Sequence, residues 1–187
     1  SVGFSQQKKT DEPNPMKGVK ILTKSSYHLE EKFGEFIDVL KGKTIHKYDS
    51  KGNEVEMSNY DSDGNLKNYL WGFSTTITKY DSKGNVVEHS NFDSEGLTKK
   101  KYILKYDSNG NKVEESNYKS DGSLNSKYIS KYDSNGYMVE GLRYDSDGSL
   151  SSKYISKYDS NGNWVENSSY DSDGNLTEDL LGVSKTI

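Results

Sequence analysis

From residue 48 onward, short runs of alternating apolar and polar residues are separated by turns of the form Tyr-Asp-Ser-x-Gly or a near copy. Alternating runs of about eight residues are typical of β-strands. Asp and Gly are typical of the intervening turns, because an Asp side chain accepts hydrogen bonds from amides ahead of it and Gly adopts positive φ freely. Since too few residues remain for crossover helices, neighbouring strands are predicted to be antiparallel.

The turns recur at a fixed spacing. The aromatic residue that opens each turn occurs ten times, with spacings of 12, 20, 12, 14, 12, 14, 12, 14 and 12 residues. These residues are Tyr48, Tyr60, Tyr80, Phe92, Tyr106, Tyr118, Tyr132, Tyr144, Tyr158 and Tyr170. A fixed period indicates a repeat architecture. We therefore predict an all-β antiparallel meander of ten or more short strands, built as an array of hairpin repeats or a strongly twisted sheet, with no or minimal helix.

The register of each hairpin can be read from one clean copy, in which Tyr106 opposes Lys112 and Tyr118 opposes Leu124. Opposed residues share a face of the sheet. Strict alternation then predicts one face with Tyr106, Tyr118, Leu124, Tyr128 and Tyr132, and an opposite face with Val113, Lys127, Ile129 and Lys131. The simplest interpretation of the ten repeated rings is that they form the core of the sheet, half-buried, with their hydroxyl groups in polar surroundings.

The chain divides into three parts. Residues 1–17 contain both prolines and are predicted to be a flexible N-terminal arm. Residues 18–47 are more apolar and less regular; Val19–Ile21 alternates as a strand does, whereas Leu29–Phe33 also fits a helical turn. We interpret this second part as a degenerate repeat that caps the array. Residues 48–187 are predicted to form five double-hairpin repeats in the same domain.

Two connectors break the period. Residues 60–77 match residues 170–187, and both stretches contain a connector six residues longer than those of the central repeats. The aromatic and aliphatic residues of these connectors, together with a Trp near a turn, do not belong to the repeated pattern. They are the predicted partner contacts: Leu70, Trp71, Phe73, Trp164, Leu180 and Leu181.

The composition argues against a thick apolar core and against several classes of partner. Hydrophobic residues make up 30% of the 187 residues, and Tyr is the commonest large one, with 15 copies against 5 Phe and 2 Trp. The formal net charge of −4, with both signs interspersed, leaves no basic stripe for nucleic acid. No apolar run reaches the roughly 18 residues that a membrane-spanning helix needs. The chain has no cysteine, which excludes disulfides and thiolate metal sites.

The first residues point to export. Ser1–Gln7 reads small and apolar and then Gln, before a polar stretch. It resembles the end of a secretory signal peptide, in particular the cleavage region of exported proteins of Bacteroidota. The alternative interpretation is an arbitrary flexible N-terminus.

The repeated Tyr-Asp-x-x-Gly-Asn followed by Val or Leu resembles the YD repeat of the RHS family and of shorter Bacteroidota repeat proteins. The motif covers residues 48–187. In large RHS-like proteins such repeats wind a β-sheet into a shell around a toxic cargo. This chain lacks their repeat number and a toxin domain, so the resemblance implies a sheet of hairpins with a scaffold role and not a closed shell.

The sequence offers little chemistry. Two carboxylates precede a Gly in three turns, but the third ligand and the bidentate Glu of an EF-hand are missing; the pairs are Asp61 with Asp63, Asp145 with Asp147, and Asp171 with Asp173. Plain turn residues are the preferred interpretation, and weak Ca²⁺ binding stays the alternative. The three histidines, His28, His46 and His89, occur in dissimilar contexts and are predicted to be solvated surface residues. No metal, cofactor or catalytic residue is predicted, and the protein is expected not to be an enzyme.

We therefore expect a non-catalytic, exported β-repeat subunit in the periplasm or at the cell surface of a Gram-negative bacterium. Its expected partner is a protein, with an outer-membrane β-barrel or its complex as one concrete form: the chain would act as a periplasmic accessory or plug of a protein-secretion machine. The alternative is a secreted adhesin that binds carbohydrate or another surface through exposed Tyr rows, for which a glycan is the ligand.

Overall fold

The computed structural model describes residues 14–177 and 185–186 of the chain. Within these residues thirteen strands form one antiparallel sheet. The strands are β1 (Ile21–Lys32), β2 (Glu35–Tyr48), β3 (Glu54–Asp61), β4 (Thr75–Tyr80), β5 (Val86–Phe92), β6 (Thr98–Tyr106), β7 (Lys112–Tyr118), β8 (Leu124–Tyr132), β9 (Met138–Tyr144), β10 (Leu150–Tyr158), β11 (Trp164–Tyr170), β12 (Leu176–Thr177) and β13 (Lys185–Thr186). Strands β1 to β12 are neighbours in chain order, and β13 also pairs with β11. The predicted antiparallel meander is thus confirmed, as an open sheet with one short 3-10 turn at Leu70–Gly72.

The turns have the chemistry that the sequence predicts. The Asp107 amide donates to the Asn111 carbonyl at 3.0 Å, and the Gly110 amide donates to the Asp107 carbonyl at 3.2 Å. Asp107 Oδ1 accepts the amides of Asn109 and Asn111, each at 2.9 Å. Gly110 has φ +89°, which the turn requires and which glycine adopts without strain. The same backbone pattern recurs in the ten repeated turns.

The prediction that the repeated Tyr residues share one face is wrong. Tyr118 opposes Lys101 of β6, which lies five residues, an odd number, before Tyr106 in a regular strand. Tyr118 therefore lies on the face opposite to Tyr106. The cause is a β-bulge: Glu114 opposes Lys105 and Lys112 opposes Tyr106, so Val113 is an extra residue that inverts the alternation.

This bulge recurs at the Val after every turn that opens with Tyr48, Tyr80, Tyr106, Tyr132 or Tyr158, where the extra residues are Val55, Val87, Val113, Val139 and Val165. A second bulge follows the turns that open with Phe92, Tyr118 and Tyr144, where the extra residues are Lys99, Asn125 and Ser151. Because the second bulge reverses the inversion that the first one makes, the two together sort the repeated aromatics into two faces. The tyrosine face, as we define it, contains Tyr48, Tyr80, Tyr102, Tyr106, Tyr128, Tyr132, Tyr154 and Tyr158. The charged face contains Tyr60, Phe92, Tyr118, Tyr144 and Tyr170 among Lys, Glu and Ile residues.

No hydrophobic side chain among the described residues is buried, so the sheet is a single layer without an apolar core. All ten repeated aromatics are half-buried. On the tyrosine face several hydroxyl groups donate to carbonyl oxygens of the preceding hairpin, for example Tyr132 to Lys112 at 3.0 Å and Tyr158 to Met138 at 3.2 Å. Small residues such as Ser116 and Ser130 are buried between the larger side chains. Half-buried aromatic rings on the two faces thus replace a buried apolar core, as the composition predicts.

The N-terminal part forms a long hairpin and no helical turn. Strand β1 runs without interruption through Leu29 to Lys32. Strand β3 pairs with β2 only as far as the Gly42–Asp61 pair, so residues 27–40 extend beyond the sheet. At about 3.3 Å per residue, the seven residues from Gly42 to Glu35 carry the turn roughly 23 Å past that pair. We call residues 27–40 the projecting hairpin.

The described part of the predicted N-terminal arm is packed. Residues 14–17 form a turn, and the Asn14 side-chain amide donates to the Gly52 carbonyl at 2.9 Å. Residues 1–13, including the signal-peptide-like stretch, lie outside the described residues.

Candidate interaction site at the aromatic tips

The projecting hairpin ends in a strained, exposed aromatic residue. Lys32 pairs with Glu35, so the turn has two residues, Phe33 and Gly34, with φ of +56° and +83°. Such a turn matches the twist of the strands and favours Asn-Gly, because both residues need positive φ. Phe33 instead places a bulky side chain in that conformation, and it is fully exposed at 106%.

More exposed apolar side chains lie along the projecting hairpin. Tyr27, Leu29, Phe36 and Ile37 are all exposed. Leu29 pairs with Asp38 and Phe36 pairs with Glu31, so acidic and apolar residues alternate on one face of the hairpin. A patch of this kind, apolar with acidic groups, is typical of an interaction surface.

The long connector between β3 and β4 presents a second aromatic residue. In residues 68–73, which we call the Trp71 loop, the Tyr69 amide donates to the Phe73 carbonyl at 3.0 Å and the Gly72 amide donates to the Tyr69 carbonyl at 3.1 Å. Asn68 Oδ1 accepts the amide of Ser94, which ties the loop to the next turn at 2.8 Å. Trp71 has φ +74° and is 89% exposed.

Phe33 and Trp71 are the two non-glycine residues with positive φ in the described part of the chain. Each is a large exposed aromatic, and each is followed by a Gly that also has positive φ. Backbone strain of this kind costs on the order of 1–3 kcal/mol and is concentrated at functional sites. Strand β2 starts and strand β3 ends at the same end of the sheet, so both aromatic tips lie at that end.

The structure separates the predicted contact residues. Trp71 and Phe73 belong to the Trp71 loop, where Phe73 is half-buried. Leu70 lies in its 3-10 turn. Trp164 is 52% exposed but begins β11, opposite Tyr158, at the other end of the sheet. Leu180 and Leu181 lie outside the described residues.

The two long connectors are equivalent in register. Tyr60 pairs with Leu66 and Ser58 with Thr75 around the first connector. Around the second, Tyr170 pairs with Leu176 and Ser168 with Lys185, at the same positions 110 residues later. The sequence match between residues 60–77 and 170–187 therefore reflects the same interruption of strand pairing.

Sequence reasoning missed the projecting hairpin. The signal was Gly34 between two alternating runs, since a Gly at that point fits the second position of a two-residue hairpin turn. The helical-turn interpretation of Leu29–Phe33 obscured it. Strain at Phe33 and Trp71 is not visible in the sequence, because it depends on the backbone angle of each residue.

The charged face carries a ladder of ion pairs. Each joins a Lys near the end of one strand to the Glu nine residues later: Lys47–Glu56, Lys79–Glu88, Lys105–Glu114, Lys131–Glu140 and Lys157–Glu166. Hydrogen bonding from Lys105 holds the pKa of Glu114 below its ordinary value. Because the pair recurs in every repeat, it contributes to the sheet and does not mark one site.

The histidines do not form a cluster, and both His46 and His89 are less exposed than expected. His46 is buried, and its Nδ1 lies 2.6 Å from Glu54 Oε2, so the prediction of a solvated residue is wrong there. His89 stacks on Tyr102 with ring centroids 4.8 Å apart, and burial lowers its pKa. His28 is exposed and opposes Val39 on another strand.

The carboxylates of the turn Asp residues accept hydrogen bonds from residues of their own turns. Besides the amides on Oδ1, Asp171 Oδ2 accepts the side-chain amide of Asn175 at 3.2 Å, as other turn Asp residues do with their Asn. Within the described ranges, no group of three or more His, Asp and Glu side chains is placed to hold a metal ion. Two open grooves of about 570 and 550 Å³ lie between turns, one at Asp49–Asp81 and one at Asp133–Asp159. The two grooves are lined by corresponding residues of two repeats, so they arise from the repeat and do not mark one specific site.

Comparison with known proteins shows the fold. No protein-family model and no curated protein matches the chain. Among solved structures, the sheet aligns with TcdB2-TccC3-TEV at a TM-score of 0.55 and 18% identity, covering 79% of this chain and 7% of that one. The Tc holotoxin pore of Photorhabdus luminescens aligns with a TM-score of 0.30 and 12% identity, over 80% of this chain and 10% of that one. A porin-like protein from Bacteroides uniformis aligns with a TM-score of 0.31 and 13% identity, over 91% of this chain and 68% of that one.

The class of protein that these observations define is a single-layer antiparallel sheet of hairpin repeats. The likeness to TcdB2-TccC3-TEV is one of fold, and this chain spans a small fraction of that protein's length. It supports the repeat-like β architecture that the YD motif implies. In the part of the chain that the structure describes, no helix is long and apolar enough to cross a membrane.

Proposed function

We propose that the chain is a non-catalytic interaction subunit that docks a partner protein through Phe33 and Trp71. The observation that carries the proposal is the coincidence, at both residues, of a left-handed backbone with full exposure of a large aromatic ring. A fold keeps such strain when the residue has a role that the relaxed alternative, Gly or Asn, cannot fill. Aromatic residues are also the commonest energetic anchors of protein interfaces.

The exposed side chains of the projecting hairpin indicate the size and charge of the partner surface that would fit them. Scaled by their exposed fractions of 57%, 106% and 71%, Tyr27, Phe33 and Phe36 together expose roughly 470 Å² if a fully exposed aromatic side chain presents roughly 200 Å², and Leu29 adds to this area. The sum is more than half of the roughly 800 Å² per partner of a standard interface. Glu31 and Asp38 lie among them, so the fitting surface is an apolar groove with basic residues at its rim. The same carboxylates disfavour insertion into an anionic lipid surface.

The proposal extends to the compartment in which the protein acts and to the complex that it joins. The signal-peptide-like Ser1–Gln7 and the resemblance to Bacteroidota repeat proteins support an exported protein of a Gram-negative envelope. We place the subunit in the periplasm or at the outer membrane, as an accessory or plug that docks to a protein-secretion complex. Its non-catalytic nature is supported by carboxylates that recur in equivalent settings and by histidines on separate strands.

The adhesin alternative has less support. It requires Tyr rows that are open to a sugar ring, whereas the ten repeated aromatics are half-buried and several donate their hydroxyl groups to the backbone. The exposed tyrosines are Tyr27, at the base of the projecting hairpin, and Tyr69, in the Trp71 loop.

The test is site-specific photo-crosslinking in the source envelope. A photoreactive phenylalanine analogue at position 33 or 71 is expected to capture the same partner protein. The analogue at Trp164, which is also an exposed aromatic but lies at the other end of the sheet, is the control. Phe33→Ser and Trp71→Ser should each abolish co-purification of that partner, and Trp164→Ser should not. Equal capture from all three positions, or glycan binding by the purified chain that survives both Ser variants, would overturn the proposal.

A further inference from the structure

The outer edge of β1 has a fixed set of unpaired backbone groups. The Lys20 carbonyl accepts the Tyr48 amide at 2.9 Å, so Lys20 faces β2. In an antiparallel strand every second residue faces the same neighbour. The even-numbered residues of β1 therefore bond to β2, in agreement with Lys32 pairing across the hairpin turn. The residues that direct N–H and C=O groups outward are Ile21, Thr23, Ser25, Tyr27, Leu29 and Glu31.

No described strand pairs with this edge. It is twelve residues long and nearly all of its residues are exposed, including Tyr27 and Leu29 at 57% and 67%. A long open edge is a template for another strand. The charges along this edge are complementary to those of an antiparallel copy, because Lys24 lies in the first half of β1 and Glu30 in the second.

We propose that a second copy of this chain pairs with the edge, β1 against β1, around a two-fold axis at Tyr27. In antiparallel pairing, an outward-facing residue of one copy forms hydrogen bonds with an outward-facing residue of the other copy. Because the outward-facing residues of β1 are all odd-numbered, the residue numbers of any opposed pair must add to an even total. The register that sets Lys24 opposite Glu30 meets this condition. It also sets Tyr27 opposite Tyr27 and Ser25 opposite Leu29.

The paired edge satisfies both the backbone and the side chains. Five pairs of opposed residues, centred on Tyr27, each exchange two backbone hydrogen bonds, which gives about ten in total. We call these hydrogen-bonded pairs narrow pairs. Lys24 and Glu30 fall at the intervening positions, where opposed side chains are closest, and form two symmetric ion pairs. Glu30 also lies 3.3 Å from Lys32 of its own strand, so each Glu bridges two Lys side chains. The two tyrosine rings meet on the other face.

Single-cysteine variants test the register, because the chain has no cysteine of its own. Opposed residues in a narrow pair have Cα atoms about 5.5 Å apart, which is within the range of a disulfide. Tyr27→Cys should therefore form a disulfide-linked dimer on mild oxidation. Ser25→Cys is the control, since the two copies of residue 25 would lie four residues apart along the strand, about 13 Å. Equal cross-linking of both variants, or none of Tyr27→Cys, would overturn the register.

Charge exchange between two variants tests the pairing itself. Lys24→Glu or Glu30→Lys alone places like charges opposite each other twice, and each should weaken the dimer about tenfold in sedimentation velocity. Mixing the two variants restores both pairs, so a heterodimer should form with close to the original affinity. A dimer that ignores the two changes, or a monomer at all concentrations up to about 1 mM, would contradict the proposal.

A proline separates dimerisation from folding. Ser25→Pro removes an amide that points away from β2, a position where an edge strand tolerates proline. It should abolish the dimer and leave the circular dichroism spectrum unchanged. Phe33→Ser should leave the dimer intact, so failure of this inference and failure of the proposed docking function are distinguishable. Retention of the dimer in Ser25→Pro would show that another surface forms it.

Discussion

The ring of Tyr128 lies across the backbone of Gly141, and a side chain built at that glycine would meet the ring, with Tyr128 Cζ at 2.9 Å. The Tyr128 hydroxyl also contacts the sulfur of Met138 at 3.8 Å. Gly141 does not have positive φ, so its role is to leave space for the ring. Since the sheet has no second layer, a ring that lies flat on the backbone is one of the few ways to bury apolar area.

Gly141→Val should lower the free energy of unfolding by about 1–3 kcal/mol, because the new side chain displaces the Tyr128 ring. Urea denaturation followed by circular dichroism measures the change. In the background of Tyr128→Ala the same substitution should cost little, since the ring is gone. An equal loss of stability in both backgrounds would show that Gly141 acts through the backbone and not through the ring.

Stability should fall as the pH drops below the ordinary pKa of the turn aspartates. The Asn111 side chain and backbone amide lower the pKa of Asp107 from 3.8, and comparable hydrogen bonds lower the pKa of Asp81 and Asp159. A carboxylate with a folded-state pKa below its unfolded value stabilises the fold above the unfolded value, and this contribution disappears as the pH falls through the folded value. The urea midpoint between pH 6 and pH 2 tests this. Asp107→Asn, which cannot titrate, should show a shallower decline, and an unchanged slope would contradict the assignment.

Trp71→Gly should raise the free energy of unfolding by about 1 kcal/mol while it removes the docking side chain, because glycine adopts φ +74° without strain. Thermal and urea denaturation measure the gain. The matched control is Trp164→Gly: Trp164 is exposed but lies in strand β11 without positive φ, so glycine should destabilise the fold by roughly 0.5–1 kcal/mol. A loss of stability in both variants would show that the Trp71 side chain packs against the sheet.

Glu140 should contribute more than an ordinary surface charge, because it lies 2.7 Å from Lys131 and 3.5 Å from Lys153 on the two flanking strands. Glu140→Gln is expected to cost about 0.5–1 kcal/mol, at the upper end for exposed pairs. The cost should shrink in 1 M salt, where the screening length falls to about 3 Å. Glu56→Gln, with one Lys partner among the ion pairs of the ladder, is the comparison and should cost less.

The turns could be predicted from the sequence because their chemistry is local. Asp107, Gly110 and Asn111 lie within five residues, and their hydrogen bonds follow from residue type alone. The face of each Tyr could not be predicted by strict alternation, since the extra residue at Val113 inverts it. The x-Val-Glu that recurs after every second turn marks this bulge in the sequence, but the geometry of the bulge depends on how β7 meets β6.

The candidate site was predictable in part. Trp71 was singled out because it interrupts the repeat, which is a property of the sequence. Phe33 was not, because its significance comes from a backbone angle and from a hairpin that extends past its neighbour. Burial of His46 likewise depends on Glu54, which the β2–β3 turn brings to its ring.

From β1 to β12 the described strands pair with their neighbours in chain order, so two central strands can be removed and the strands that flank them can pair with each other. Removal of residues 107–132 would join Tyr106 directly to Asp133, and the chain would read Tyr-Asp across the new junction as it does in the parent. Strand β9 would then meet β6 with Lys101 opposite Tyr144, where Tyr118 stood before. Such a protein should fold with two strands fewer. Duplication or deletion of 26-residue blocks can therefore alter the length of the molecule without changing either of its ends.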